Sequence, residues 1–542
     1  MRYIWLSSLL AMACHAQAQA PTTPALPSGP LESGPSMKYD PQIVTALLDL
    51  LNVKDKTRPS NTDFTDTSLK DILVLGTPAG FHLRNRYTHL GVSLAEGLAF
   101  TTDPRLKDQL IELARWERSH EIRAVSLIAV ATRREPAHIS IFREALINID
   151  PEVRFGALEA LEIWDQSGIK EELAKVIETD RSPVVRIYAA QALARRGDPK
   201  GLEELRKEVA TSGDWLARAM AIRYLGDLGE GEDYDRMLGR IGLEQNNDFV
   251  LAEAAIAALK LFPKKSPELA APTPAPMPPP PPPSGGAAAP NLFVELEPLV
   301  ITAPRLKIPA TLQIDGRVNS TLLTLLENKA NARPKPEDLN DPSIMTLNSL
   351  SSPAGFQLKI RYTELGFLLT EGLAGTADLI LRNKIINVAH QGTNPQVRAA
   401  AMVAVAYDKD PMDRGLFQEG LLSQDITVRF GAMEGLLVWN QPDAMSDVGS
   451  IARTDLSPPV RAWAAGALLR NRDQGGRDIL VRFTDDQDWL ARAMSYRYLG
   501  ELGVPDDFER ILLNLSRESN NFVRSEMCGA LLRLYARGAR KQ

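Results

Sequence analysis

Arginine is the polar residue that recurs most regularly in this chain. Arg123, Arg154, Arg186 and Arg218 are separated by 31, 32 and 32 residues, and Arg398, Arg429, Arg461, Arg492 and Arg524 by 31, 32, 31 and 32. The first half lacks a fifth member, since Leu251 stands where Arg524 does in the second. An evenly spaced row of guanidinium groups supports one of two chemistries. Facing a groove, it is a stripe of forked donors for carboxylates or phosphates on a partner. Turned inward, each arginine pairs with an acid of a neighbouring unit and ties a stack together. Asp150, Asp180, Asp425 and Asp455 stand four to six residues ahead of Arg154, Arg186, Arg429 and Arg461. That spacing favours the inward, structural ladder for Arg123, Arg154, Arg186, Arg398, Arg429, Arg461 and Arg524. Arg218 and Arg492 differ. Each follows a tryptophan and precedes a second arginine, giving Trp215, Arg218 and Arg223 in one place and Trp489, Arg492 and Arg497 in another. Aromatic and arginine side chains anchor protein interfaces, so these six residues are the candidate partner-binding surface. The alternative is that the tryptophans fill core between helices, as is expected of Trp164 and Trp439.

Other constellations that do chemistry are not found. There are six histidines and two cysteines, Cys14 and Cys528. No nucleophile–base arrangement, glycine-rich phosphate loop or zinc-ligand spacing occurs. The chain is therefore expected to be a non-enzymatic protein without cofactor or metal. An unrecognised enzyme or lyase site is the alternative.

The elements that position these residues come from duplication. Val153 to Trp164 reads VRFGALEALEIW and Val428 to Trp439 reads VRFGAMEGLLVW; DWLARAMAIRYLGDLG from Asp214 returns as DWLARAMSYRYLGELG from Asp488; RYTHLGVSLAEGLA from Arg86 returns as RYTELGFLLTEGLA from Arg361. The offset is 274 to 275 residues throughout, so one half is a copy of the other. Within each half, proline or aspartate, an apolar residue, arginine and an alanine-rich run repeat every 31 to 32 residues, as in PEVRFGALEAL, SPVVRIYAAQAL and SPPVRAWAAGAL. Proline suits the first turn of a helix and aspartate its N-cap. Amphipathic stretches such as IKEELAKVIE, from Ile169, lie between. Two helices per period make an α-solenoid, and the fold class is all-α.

These motifs resemble the short HEAT repeats of the phycobilisome-lyase type, with their D-x-x-V-R-x-x-A-x-x-A-L core, over residues 105–262 and 380–535. The resemblance implies a stack of helical pairs. Its lyase association implies bilin attachment, against which an exported location and a single buried thiol both argue. His120-Glu121 is similar to the His-Glu pairs of deoxyhypusine hydroxylase, a two-lobed HEAT-repeat enzyme that binds iron. The matching positions in the second half are Pro395 and Gln396, so the ligand set is incomplete. The segments 38–104 and 313–379 fit the repeat poorly and are expected to cap the two solenoids.

Boundaries follow from composition. Arg2, an apolar run and Ala16-Gln17-Ala18 form a signal peptide over 1–18. Cys14, after Leu10-Ala11-Met12-Ala13, is the alternative: a lipidation site that would anchor the chain to a bacterial membrane. Residues 19–37 are expected to be a disordered Pro/Ser/Gly-rich segment, 38–265 the first solenoid, 266–305 a Pro-rich linker, and 306–542 the second solenoid. Each solenoid is expected to fold alone. Within the linker, Leu292 to Arg305 alternates like an extended strand, and Leu299 to Ala303 resembles the box by which outer-membrane receptors engage TonB-type transducers. A formal net charge of -6 gives no electrostatic footprint for nucleic acid. No second apolar run is long enough to span a bilayer. The expected function is an exported scaffold, periplasmic or secreted, that presents solenoid surfaces to a protein or peptide of the bacterial cell envelope. A structural spacer, two lobes held apart by a stiff linker, is the remaining alternative.

Overall fold

A computed structural model describes residues 40–55, 66–166, 168–244, 247–265, 315–330, 341–350, 352–376 and 378–537. Among these residues there are 28 α-helices and no strand. The signal peptide, Cys14 and the linker with its strand-like segment lie outside the described residues.

Local chemistry sets the helix boundaries. Asp150 accepts from the Glu152 amide, Asp214 from Ala217, Asp425 from Thr427 and Asp488 from Ala491, so a carboxylate satisfies a free N–H at the start of each helix. Proline occupies the first turn of Pro104–Trp116, Pro151–Trp164, Pro183–Arg195 and Pro458–Arg470. Helices Pro151–Trp164 and Ile426–Trp439 end at twin positions, Asp165 with φ 43° and Asn440 with φ 46°. Aspartate and asparagine are the non-glycine residues that tolerate this left-handed geometry best.

Among the described residues each half holds five antiparallel helix pairs after a group of four helices. In the first half the pairs run from Pro104–Trp116 with His120–Ala131 to Asp233–Leu243 with Asp248–Lys265. In the second they run from Leu379–Gln391 with Pro395–Ala406 to Asp506–Leu515 with Asn521–Ala536. The outer helix of each pair is amphipathic, and the inner one is buried nearly all round. From Glu152 to Trp164 every residue of Pro151–Trp164 is buried. Small residues permit that packing: a methyl group on Gly156 would lie 2.8 Å from Ala124 Cα, and one on Gly431 2.5 Å from Ala399 Cα.

The two solenoids form one closed ring. Helix Leu90–Leu98 packs on its own first inner helix, His120–Ala131, and also on Asn521–Ala536, the last helix of the other half. Its twin, Leu365–Gly372, packs in the same way on Pro395–Ala406 and on Asp248–Lys265. The expected caps are therefore two-sided, each joining the end of one stack to the start of the other. At the closing joint Gly97 and Gly529 stand back to back, a methyl group on Gly97 falling 3.3 Å from Gly529 Cα.

The concave faces are filled by exchange. Helices Thr67–Leu73 and Pro78–Thr88 of the first half lie in the groove of the second, where Trp489 Nε1 donates to Asp66 at 3.0 Å and Thr427 Oγ1 donates to the Val74 carbonyl at 3.1 Å. Helices Pro342–Ser349 and Pro353–Thr363 of the second half lie in the groove of the first, where Trp215 Nε1 donates to Asp341 at 3.2 Å. The two exchanged arms meet in the middle, and Phe81 stacks on Phe356. A pseudo-twofold axis relates the two arms and the two tryptophan–aspartate bonds.

Candidate functional site

The polar residues singled out in the sequence lie along the ladder or where one half grips the other. The ladder repeats one geometry. Arg154 Nε and Nη2 donate to Asp180 at 2.7 and 3.0 Å, and Arg429 to Asp455 at 2.9 and 3.2 Å. Arg218 donates to Glu244 at 3.2 Å, and Arg492 to Glu518 at 2.9 and 3.1 Å. Each acid stands 26 residues after its arginine, at the start of the next inner helix. Nη1 donates to a carbonyl six residues back: Arg154 to Asn148, Arg429 to Ser423, Arg218 to Ser212 and Arg492 to Asp486. Such forked pairing staples adjacent repeats. Arg186 donates to the Asp180 carbonyl at 2.9 Å, Arg123 to Ala114 at 3.2 Å and Arg398 to Ala389 at 3.1 Å. Arg461 lies 5.2 Å from the Phe483 ring centroid. Arg524 forms no ion pair with a described residue.

The six candidate partner-binding residues divide three ways. Arg218 and Arg492 carry the same acid-paired geometry as Arg154. Trp215 and Trp489 hold the exchanged arms. Arg223 and Arg497 belong to two ionic clusters at the joints of the ring. At one joint Arg361 donates to Glu253 at 2.6 and 2.9 Å and to Glu371 at 2.5 Å, Tyr362 donates to Glu253 at 3.0 Å, and Arg223 lies 3.7 Å from Glu371. At the other Arg86 forks onto Glu526 (2.6 Å for Nη2) and meets Glu96, while Arg497 reaches Glu501 at 3.0 Å and His82 at 3.2 Å. Burial alone would raise the carboxyl of Glu371, but Arg361 and Arg223 outweigh it and hold it below the ordinary value. Burial is likewise overcome at Glu501, which Arg497, Arg470 and Arg533 hold well below. Burial, with Arg497 and Arg86 alongside, keeps His82 neutral far below the usual imidazole range. These charges are matched and enclosed by the chain itself.

Two glutamates that sequence reasoning missed, Glu159 buried and Glu434 partly buried, complete the grip. Glu159 accepts from Ser352 Oγ and, at 3.3 Å, from the Ala354 amide at the start of helix Pro353–Thr363. Its twin Glu434 accepts from Thr77 and the Ala79 amide at the start of Pro78–Thr88. Each side chain caps a helix that belongs to the other half. Burial pushes both carboxyls up to about 8. The available signal was a glutamate at the same place in both copies of an otherwise small and apolar face, VRFGALEALEIW and VRFGAMEGLLVW.

The remaining chemical candidates are structural in their surroundings. Burial pushes the Cys528 thiol up to about 12, which keeps it protonated and a poor nucleophile. His120 pairs with Asp150 at 2.6 Å. Among the described residues no group of three or more histidine, cysteine or acidic side chains is arranged to hold a metal ion.

No curated protein matches this chain. A family model described as HEAT repeats matches residues 170–260 and 445–531, the last helix pairs of each half. The unmatched pairs before them continue the same stack, and Arg154 and Arg429 carry the arginine-to-acid staple there. The chain thus carries HEAT repeats in duplicate, one matched set in each half, within an all-α solenoid.

Proposed function

We propose that the chain is an exported, non-enzymatic scaffold that meets a protein partner through the outer surface and edge of its ring. One observation carries this reading: both concave faces are occupied by the chain's own helices, while large apolar side chains remain exposed at a ring edge. Trp116 is 73% exposed, Ile147 78% and Ile149 91%. They sit at the ends of neighbouring outer helices, Pro104–Trp116 and Ile139–Leu146, which Arg115 and Glu144 join at 3.0 Å. Grouped exposed apolar side chains of this size mark interaction sites. The spacer reading loses its ground, because two halves that grip each other are not held apart by the segment between them. The signal-peptide pattern supports placement in the periplasm or outside the cell, with lipidation of Cys14 as the membrane-anchored form. No helix among the described residues is long and apolar enough to cross a membrane.

The test is made in cells of the native host, with a photo-crosslinking residue in place of Trp116 or Ile149 of the full chain. A discrete adduct from the envelope fraction is expected at both positions and not at the polar outer position Lys107, and the recovered chain should begin at Gln19 or at a lipidated Cys14. Equal labelling at all three positions would remove the proposed surface. A retained Met1 would remove the export.

A further inference from the structure

Helices Pro78–Thr88 and Pro353–Thr363 cross on the pseudo-twofold axis, where the Phe81 and Phe356 rings lie parallel with centroids 3.3 Å apart. One helical turn further along stand Arg84 and its twin Lys359. The Arg84 guanidinium is 4.7 Å from the centroid of Phe81 and 5.9 Å from that of Phe356. Its one hydrogen bond is a long contact to the Leu73 carbonyl, 3.4 Å. The Lys359 ammonium makes no hydrogen bond, and neither cation forms an ion pair with a described residue. Both side chains are partly buried. Burial lowers the pKa of each, and at Lys359 the positive charge of Arg84 lowers it further against the pull of Glu152.

This pair departs from the pattern around it. Arg86 and Arg361, two residues along the same helices, are fully matched by carboxylates, as are Arg154 and Arg429. Two like charges drawn partly out of water without an ion-pair partner are costly, and the ring faces and the more distant Glu152 offset only part of that cost. Two cations from two elements, close enough for one to disfavour the other's charge and neither ion-paired, make a candidate for a site completed by a ligand.

We propose that Arg84 and Lys359, with the stacked Phe81 and Phe356 beside them, form a binding site for a tetrahedral oxyanion, a phosphate group either free or carried on a small ester. Two cations related by the axis suit a group with several equivalent oxygens, each oxygen accepting from one side. The phenyl rings close off water without competing for hydrogen bonds.

The experiment is calorimetric titration of the full chain with inorganic phosphate and, separately, with phenyl phosphate, against chloride of equal ionic strength, alongside thermal melts. Saturable binding of at least one probe is expected, with a rise in melting temperature that chloride does not reproduce. Lys359→Met should weaken that binding at least tenfold, yet melt in chloride no lower than the wild type, because it removes an unmatched charge. Lys359→Arg should keep binding. Binding of phenyl phosphate alone assigns the site to an ester, and binding of both assigns it to the phosphate group itself. No saturable heat with either probe, or equal affinity in Lys359→Met, overturns the proposal.

Discussion

At the scale of single residues, the arginine ladder holds pairs of very different worth. Arg154 and Asp180 are both buried and doubly bonded. Removing the guanidinium leaves a buried carboxylate unmatched, which costs about 3–5 kcal/mol. Arg186 gives only a neutral carbonyl bond, worth about 1 kcal/mol. Urea unfolding of Arg154→Ala should therefore show a loss several times that of Arg186→Ala. Equal losses would mean that the ladder acts through side-chain packing and not through its acids. The aspartates upstream made inward pairing legible, and Asp180 and Asp455 are the acids of a neighbouring repeat that hold Arg154 and Arg429. Asp150 and Asp425 instead cap the helices that carry Arg154 and Arg429, and the staple comes from the acid 26 residues later. Nothing local in sequence distinguishes a capping aspartate from a stapling one. Asp180 does the second for Arg154, while its carbonyl serves Arg186.

At the scale of elements, the exchanged arms depend on Glu159 and Glu434. Both carboxyls titrate at about 8 in the fold against an ordinary 4.5, so the folded chain holds their protons where the unfolded chain has released them. Stability from these two groups is complete below about 4.5, falls as pH rises through the window up to about 8, and changes no further above it. Glutamine presents the same oxygen to the Ala354 or Ala79 amide and carries no charge. Glu159→Gln with Glu434→Gln should gain stability relative to wild type at pH 8 and little at pH 5, read from urea midpoints at both values. A gap that does not change with pH would show that the carboxyls are not buried protonated. The pairs of helices were legible because aspartate caps, first-turn proline and the 31-to-32-residue period all act locally. The arms were not. Their sequences, GTPAGFHLRNRY and SSPAGFQLKIRY, read as caps because a groove-filling helix needs polar groups matched to its host, such as Arg86 to Glu526, and local periodicity does not reveal which half provides the host.

At the scale of the whole molecule, closure changes how the repeats share stability. An open solenoid is a row of nearest-neighbour contacts with two ends that fray. Here each last helix, Asp248–Lys265 or Asn521–Ala536, is covered by the first elements of the other half. The expectation that each half folds alone assumed open ends and an empty groove. A half by itself has neither its groove filled nor its last helix covered, and the surface it lacks is supplied by a second copy of a closely similar half. A chain cut between residues 272 and 290, by a protease site inserted there, should therefore elute as one species of unchanged size. It should melt in a single transition. Separation of the fragments without denaturant would show that the linker, and not the grip, holds the ring together.

The Arg86–Glu526 fork joins residues 440 positions apart. A ribosome makes the chain from the N-terminus at about 5–20 residues per second, so Arg86 waits roughly 20–90 s for its partner to be made. Through that interval Phe81, Leu83 and Tyr87 have no host, and the groove lined by Glu159 and Trp215 stays empty until helix Pro353–Thr363 emerges. Non-local closure is slow, and exposed apolar arms invite pairing between chains. The same exchange that makes the finished ring rigid makes the half-made chain sticky.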